Sequence, residues 1–439
     1  MVCNKYHSIF TFLTLEILIS ELISLSLHLV NIKYKYNMEQ IIKHFTDNDA
    51  YTFTCQYYIL KTYPRAEVEY KFFDRNHTKY PKGFADLLQE QVNYMKGVII
   101  TDEEIAFMSK NMYYLPLWYF TFLKGYRFNP KEVTISQDEE GHLDISVKGK
   151  WFSTIMWEMP LLSCISELMH KLNGDEDKYN LRAEYWKSYD KMTKALQNGL
   201  IISDMGTRRR FSYQHHDNVI RSFVEAFKKA KEDISCYGNF VGTSNVWLAK
   251  RYNLRPIGTM SHQIISFEET VSGIFECNNQ TMSKWSECYD GLNGTYLYDC
   301  FGDKVFFNNF QTKYAKLFDG LRVDSGDEFE QIEKIIDKYK SLGVDTKTKT
   351  VVFSNGLNLD KALEIHKYIG GRVRDTYGIG TFFTCDIDNV KPSNIVIKLV
   401  KGRITEQREW HDCVKLSCDK GKTLGNQEKC SYLSNIINC

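Results

Sequence analysis

From about residue 158 onward, hydrophobic positions follow one recurrent scheme. A short apolar run ends in a cluster of Gly, Ser, Thr, Asp or Arg, and apolar residues at helical spacing follow. The clearest unit is Leu321-Arg-Val-Asp-Ser-Gly-Asp327, then EFEQIEKIIDKYKSLG, where Ile332, Ile335, Ile336, Tyr339 and Leu342 share a helical face and Gly343 supplies a stop. Seven such joints occur: Ile201-Ile202 into SDMGTRRR, Phe240-Val241 into GTSN, Pro256-Ile257 into GTMSH, Thr295–Tyr298 into DCFGD, Leu321–Val323 into DSGD, Thr350–Phe353 into SNGLN, and Asp375–Tyr377 into GIGT. Strands alternating with helices imply parallel pairing through right-handed crossovers. Polar clusters at the carboxyl ends of seven successive strands then share one face of a barrel-like sheet, although a doubly wound open sheet would gather the same loops. Earlier in the chain the text is mixed and aromatic-rich, with a strand-like run at Val68–Phe73 and a helical stretch at Phe84–Met95.

The amino-terminal segment breaks the pattern. Ser8–Val30 is apolar and long enough to span a bilayer, but Glu16 and Glu21 interrupt it. Each would cost at least ~2.5 kcal/mol at mid-membrane. The stretch before it is weakly basic and no small-residue cleavage site follows, which makes it a poor signal peptide. Residues 1–37 are therefore read as an extension outside the working domain, and no stable membrane association is expected. The expected division is an N-terminal α/β domain at 38–157, a catalytic α/β barrel at 158–390, and a C-terminal segment at 391–439 packing back on the N-terminal domain.

Composition narrows the chemistry. The 439 residues are 43% hydrophobic and 25% charged, with net charge +1. That balance offers no global field for nucleic acid or membrane, so an anionic ligand must be gripped by local clusters. Twelve cysteines without a C-x-x-C pair argue against zinc or thiol redox chemistry and for a reducing, cytoplasmic compartment.

Several joints carry candidate chemistry, each beside a plainer reading. Arg208, Arg209 and Arg210 follow Met205-Gly-Thr, and guanidinium forks suit carboxylate or phosphate, although a solvated basic turn is equally compatible. Asp324 and Asp327 flank a turn beside Arg322; they are either helix caps or carboxylates that face a sugar developing positive charge. Tyr377-Gly-Ile-Gly-Thr381 reads as a phosphate nest of backbone N–H groups, with Gly380 and Thr381 at its centre, or as a tight strand-to-helix turn. His262, after Gly258-Thr-Met-Ser, is a general base, a phosphoryl nucleophile or a structural histidine.

Taken in order, these strings resemble the nicotinate phosphoribosyltransferase family, in its bacterial and fungal branch. The resemblance runs from Thr46-Asp-Asn-Asp-Ala-Tyr51 through Glu158-Met-Pro-Leu-Leu162, Gly206–Arg210, Gly242-Thr-Ser-Asn245, Gly258-Thr259 with His262, Arg322 with Asp324–Asp327, Gly378–Thr381 and Asn394–Lys398, to Lys415-Leu-Ser-Cys-Asp-Lys-Gly-Lys422. It implies the type II phosphoribosyltransferase fold, an incomplete, about seven-stranded α/β barrel with an α/β domain built from both chain ends. It also implies transfer of phosphoribosyl from phosphoribosyl pyrophosphate to nicotinate, giving nicotinate mononucleotide and pyrophosphate in NAD salvage. ATP hydrolysis would be coupled through a phosphohistidine at the position of His262, with Asp324 the catalytic carboxylate. Tyr51, Thr259 and Arg322 match nicotinate-contacting positions, and Tyr51 would serve a neighbouring subunit if the chain forms a homodimer. Thr381 matches a position that holds phosphoribosyl pyrophosphate. Arg208 and Arg209 match arginines on its phosphates or on the substrate carboxylate. Asp327, Ser354 and Gly380 complete the expected substrate set. Magnesium (Mg2+) is expected with the pyrophosphate and ATP, and no all-protein metal site. The chain departs from the family pattern at Met205, where Phe is usual, at Gln263, where Glu is usual, and at Gly356, where an acidic or amide residue is common. Competing readings are a nicotinamide or quinolinate phosphoribosyltransferase of the same fold, and an inactive, membrane-tethered nucleotide-binding homologue.

Overall fold

The computed structural model describes residues 39–417, 419 and 422–438. The expected extension at 1–37, with its apolar run, lies outside the described residues. No helix among the described residues is long and apolar enough to cross a membrane.

Twelve strands form two sheets. They are β1 (Glu67–Asp74), β2 (Val133–Gln137), β3 (Leu143–Lys150), β4 (Ile201–Asp204), β5 (Asn239–Thr243), β6 (Arg255–Pro256), β7 (Thr295–Leu297), β8 (Gly320–Val323), β9 (Thr350–Phe353), β10 (Arg374–Ile379), β11 (Ile395–Arg403) and β12 (His411–Asp412). The larger sheet has the order β6-β5-β4-β10-β9-β8-β7, and all its pairings are parallel. Each of the seven predicted joints is one of these strands. The first strand of the series, β4, lies beside the last, β10, so the sheet is a curled ring of consecutive strands opened between β6 and β7. Leu321, Val323, Val351 and Phe353 are fully buried, as expected where helices cover a parallel sheet. The predicted helices occur at Glu328–Ser341 and Leu359–Ile369. The first buries Ile332, Ile335, Ile336 and Tyr339, and the second Leu359, Ala362, Ile365 and Ile369.

The smaller sheet, β12-β11-β1-β3-β2, is antiparallel and draws β1–β3 from one end of the chain and β11–β12 from the other. Strand β1 alternates buried Val68, Tyr70 and Phe72 with half-buried neighbours, the period-two signature of a sheet with one face on the core. The chain leaving β6 enters the helix His262–Ser272, which packs on β11. A Cβ on Gly402 would come within 2.6 Å of the Phe267 ring, so glycine permits that close approach. Strand β11 is thereby drawn to the open side of the ring.

Two long helices before β4, at Glu158–Leu172 and Leu181–Gln197, left no clear sequence signal. In the first, twelve of 15 residues are buried, including Glu158 and Glu167, so no polar stripe marks a solvent face. The segment before the helix Ala50–Thr62 is pinned to the ring by an Asp49–Asn245 bridge and by the Ala50 amide, which donates to the Ser244 carbonyl at 2.8 Å. Beneath it, the buried Arg210 guanidinium donates to both oxygens of Asp47 at 2.7 and 2.8 Å, and Asn245 Nδ2 donates to Asp47 Oδ1 at 2.7 Å.

Candidate active site

Two contiguous cavities open at the carboxyl ends of the parallel strands and share Met205, Arg208, Arg322 and Asp324. Tyr51, Glu158, His262, Gln263, Lys398 and Lys415 also line the inner cavity, while Arg209, Ser354, Gly380 and Thr381 line the outer one. Nine of the eleven residues expected from sequence therefore converge. The other two do not present side chains there. Asp327 is exposed, and its Oδ1 accepts the Phe329 and Glu330 amides at 3.0 Å, capping the helix Glu328–Ser341. Thr259 lies between the lining residues Gly258 and Met260, and its carbonyl accepts the Thr54 hydroxyl. Tyr51 lines the cavity of its own chain.

The inner cavity centres on His262, the first residue of its helix. Its Nε2 lies 3.0 Å from Asp299 Oδ1, 2.9 Å from Lys415 Nζ and 3.8 Å from Asp324 Oδ2. The Ser325 hydroxyl donates to the other Asp299 oxygen, which is 3.6 Å from Lys415. Burial, seconded by the Lys415 ammonium, lowers His262 to about 4 against the pull of both carboxylates, so the imidazole is neutral near pH 7. Burial would raise Asp299, but His262 and Lys415 outweigh it and hold the carboxyl well below its usual range. Ligand atoms of His262, Asp299 and Asp324 lie within 4.8 Å of one another, a spacing that could suit a metal ion. The Lys415 ammonium already supplies the cation of that cluster, so the residues do not fit a resident metal. A neutral imidazole between an ammonium and two carboxylates is instead suited to accept a phosphoryl group, whose added charge Lys415 would balance.

At the junction of the cavities, Arg322 Nε donates to Ser354 Oγ at 2.8 Å, and Ser354 Oγ donates to Asp324 Oδ1 at 3.0 Å. Burial raises Asp324, yet Arg322 and His262 carry it below the ordinary value, leaving a fixed carboxylate facing both cavities.

The outer cavity rests on two interlocked turns. The Thr384 hydroxyl donates to the Gly206 carbonyl at 2.8 Å, and a Cβ on Gly206 would stand 2.2 Å from Thr384 Cγ2, so only glycine lets the turn after β4 meet the turn after β10. The arginine triplet divides three ways. Arg208 Nη1 lies 3.9 Å from Glu158, whose other oxygen accepts the Tyr51 hydroxyl at 2.9 Å. Arg209 is fixed by its Nε donating to the Ile395 carbonyl at 3.0 Å; burial, then repulsion from Arg208 and Arg75, lowers it to about 9. Crowded guanidiniums of this kind are relieved by a bound anion. Arg210 is fully buried on Asp47 and takes no part in either cavity.

Asp299, Lys415, Lys398 and Glu158 were not singled out as site residues by sequence reading. All four stood inside strings already noticed: Asp299 at the end of the β7 joint, Glu158 at the head of Glu158-Met-Pro-Leu-Leu162, and Lys398 and Lys415 in the late lysine-bearing segments. Sequence separations of 37 and 153 from His262 hid the contacts of Asp299 and Lys415 with it.

Comparison with known proteins agrees with this geometry. A model of the nicotinate phosphoribosyltransferase family matches residues 200–433, and a model of that family's N-terminal domain matches residues 46–166. The chain is 40% identical over 397 residues to a nicotinate phosphoribosyltransferase of Desulforapulum autotrophicum, covering 90% of this chain and 99% of that one. It is 35% identical over 393 residues to one of Chromohalobacter salexigens, covering 89% and 97%. Crystal structures of nicotinate phosphoribosyltransferases superpose on it: that from Porphyromonas gingivalis with TM-score 0.85 and 37% identity, covering 91% and 100% of the chains; and that from Vibrio cholerae with TM-score 0.81 and 26% identity, covering 91% and 94%. With its motifs in order, its ring of seven parallel strands and a second sheet drawn from both ends, the chain belongs to the nicotinate phosphoribosyltransferase family.

Proposed function

We propose that the chain joins nicotinate to phosphoribosyl pyrophosphate and couples this to ATP hydrolysis through phosphorylation of His262. The observation that carries the reading is the neutral His262 held by Lys415 and Asp299 beside Asp324, in a cavity continuous with the arginine- and glycine-lined one. The 5′-phosphate of the donor sits at the Gly380–Thr381 turn, and Arg208 and Arg209 hold its phosphates. Asp324, at the junction, lies beneath the ribose. As the bond from the anomeric carbon to pyrophosphate breaks, positive charge grows on that carbon, and a preorganised carboxylate stabilises it. The pyridine nitrogen of nicotinate supplies the electron pair of the new bond, with its ring against Tyr51 and near Arg322. In the coupled step, His262 takes the γ-phosphoryl of ATP, an N–P bond replaces the P–O bond, and ADP leaves. Magnesium brought in on the diphosphate and triphosphate groups would screen their charge.

The test is product mass after mixing the chain with nicotinate, phosphoribosyl pyrophosphate, ATP and Mg2+. Nicotinate mononucleotide is expected, and its absence overturns the reading. His262→Ala should lose ATP-stimulated turnover and keep slow transfer. Equal stimulation in variant and parent rejects His262 as the phosphoryl carrier.

A further inference from the structure

Strand β11 puts Ile397, Lys398 and Leu399 on the wall of the inner cavity. Four basic chains line that cavity, and three are engaged. Arg208 lies 3.9 Å from Glu158, Arg322 donates to Ser354, and Lys415 touches His262 and Asp299. Lys398 is half-buried and makes no hydrogen bond or ion pair among the described residues. Around it the cavity offers Tyr51, Tyr70, Met159, Met205 and Leu297, surfaces suited to the faces of a flat ring. The charged groups that bear on its ammonium are Glu158, Arg208, Lys415 and Asp324, each from a different segment. Burial comes first in lowering it to about 8, and Arg208 and Lys415 push the same way against Glu158 and Asp324. Such an ammonium lacks a partner until an anion arrives.

We infer that Lys398 receives the carboxylate of the acceptor and sets the preference for a pyridine acid over its amide. The inference rests on the reaction proposed above. Of the four cations on this cavity, Lys398 is the one with no partner among the described residues, so it is the charge left for a carboxylate entering there, whereas Arg208, Arg209 and the glycine turn face the outer cavity proposed for the phosphates. An amide offers no charge to Lys398 and leaves its ammonium as unpaired as in the free enzyme, so discrimination arises at this atom.

The test uses the full chain with Lys398→Met and Lys398→Arg. The Met variant should raise the nicotinate KM by on the order of 30- to 100-fold, as for loss of a charged hydrogen-bonded pair. The KM for phosphoribosyl pyrophosphate should stay within about twofold. The ratio of kcat/KM for nicotinate to that for nicotinamide should fall by the nicotinate factor, and the Arg variant should keep most of it. In the parent enzyme the nicotinate KM should rise with pH above about 8 as the ammonium loses its proton, and the Met variant should lack that rise. A KM change confined to phosphoribosyl pyrophosphate, an unchanged acid-to-amide ratio, or a pH rise that persists in the Met variant overturns the assignment. If that variant does not fold, the parent profile decides, since a nicotinate KM flat through pH 8 is equally fatal. A parent enzyme that does not use nicotinate at all overturns the underlying reaction instead.

Discussion

Replacing Arg210 with Met separates structure from chemistry within one run of three arginines. Arg210 and Asp47 are both buried, and the guanidinium spans both carboxylate oxygens at 2.7 and 2.8 Å. Methionine fills much of the same space but leaves the carboxylate with Asn245 as its remaining direct partner. Breaking one side of a buried, bidentate pair costs ~3–5 kcal/mol, because the other charge stays desolvated. For about 400 ordered residues, an unfolding entropy near 2.1 cal/mol/K per residue gives about 0.84 kcal/mol/K, so Tm should fall by ~4–6 °C. Differential scanning calorimetry reads that shift, and steady-state kinetics at 25 °C should show KM values for both substrates within about twofold of the parent. The double variant Asp47→Asn/Arg210→Met should lose less than the two single changes added together, since position 47 then holds no charge to orphan and Glu167, 3.9 Å from Arg210, keeps Lys171 at 3.8 Å. Destabilisation should also deepen in acid for the parent: Arg210 holds Asp47 below its ordinary value despite burial, so that stabilisation is present above the unfolded pKa and fades as pH falls through the folded one. A Tm within 1 °C of the parent, together with a raised KM for phosphoribosyl pyrophosphate, would refute the structural assignment.

Two further outcomes follow from the site. Gly206→Ala places a methyl 2.2 Å from Thr384 Cγ2 and must shift the Thr381–Thr384 turn, so the KM for phosphoribosyl pyrophosphate should rise by on the order of tenfold or more, with the nicotinate KM little changed; equal KM values in variant and parent would remove that turn from the donor site. Because burial and Lys415 keep His262 neutral down to about 4, its phosphorylation by ATP should be level from pH 8 to about 5.5 and fail only in stronger acid, and half-loss near pH 6.5, the ordinary histidine value, would contradict the environment described.

Much of this molecule was legible because parallel strands bury both faces and end in turns, so each one punctuates the sequence. All seven joints are strands of the ring, and Ile332 to Tyr339 sit on the buried face that their spacing predicts. The spacing could not show that β10 pairs with β4, or that the ring parts between β6 and β7, since pairing partners are chosen by closure of the whole sheet. The helix Glu158–Leu172 escaped notice for the opposite reason: it is buried almost all round, and periodicity needs a wet side to be visible. Within the site, local chemistry identified single residues and tertiary contact assigned their work. Asp327 is the cap that its position before Glu328 always allowed, and Arg210 is a strut although its two neighbours face ligand space. The ammonium on His262 comes from Lys415, a residue whose string was noticed but whose partner lay on another segment.

Because β11 completes the wall and Lys415 follows it, the order of synthesis matters. All seven strands of the ring have been translated once Ile379 is made, and Lys415 comes 36 residues later (415 − 379), an interval of ~2–7 s at ~5–20 residues per second. During that window the turns proposed for the sugar phosphate are made while the histidine still lacks its ammonium. On the proposed reading, a chain that has passed Ile379 but not yet reached Lys415 holds all seven strands and still cannot take up the phosphoryl group of ATP, because the ammonium that would balance its charge has not been made.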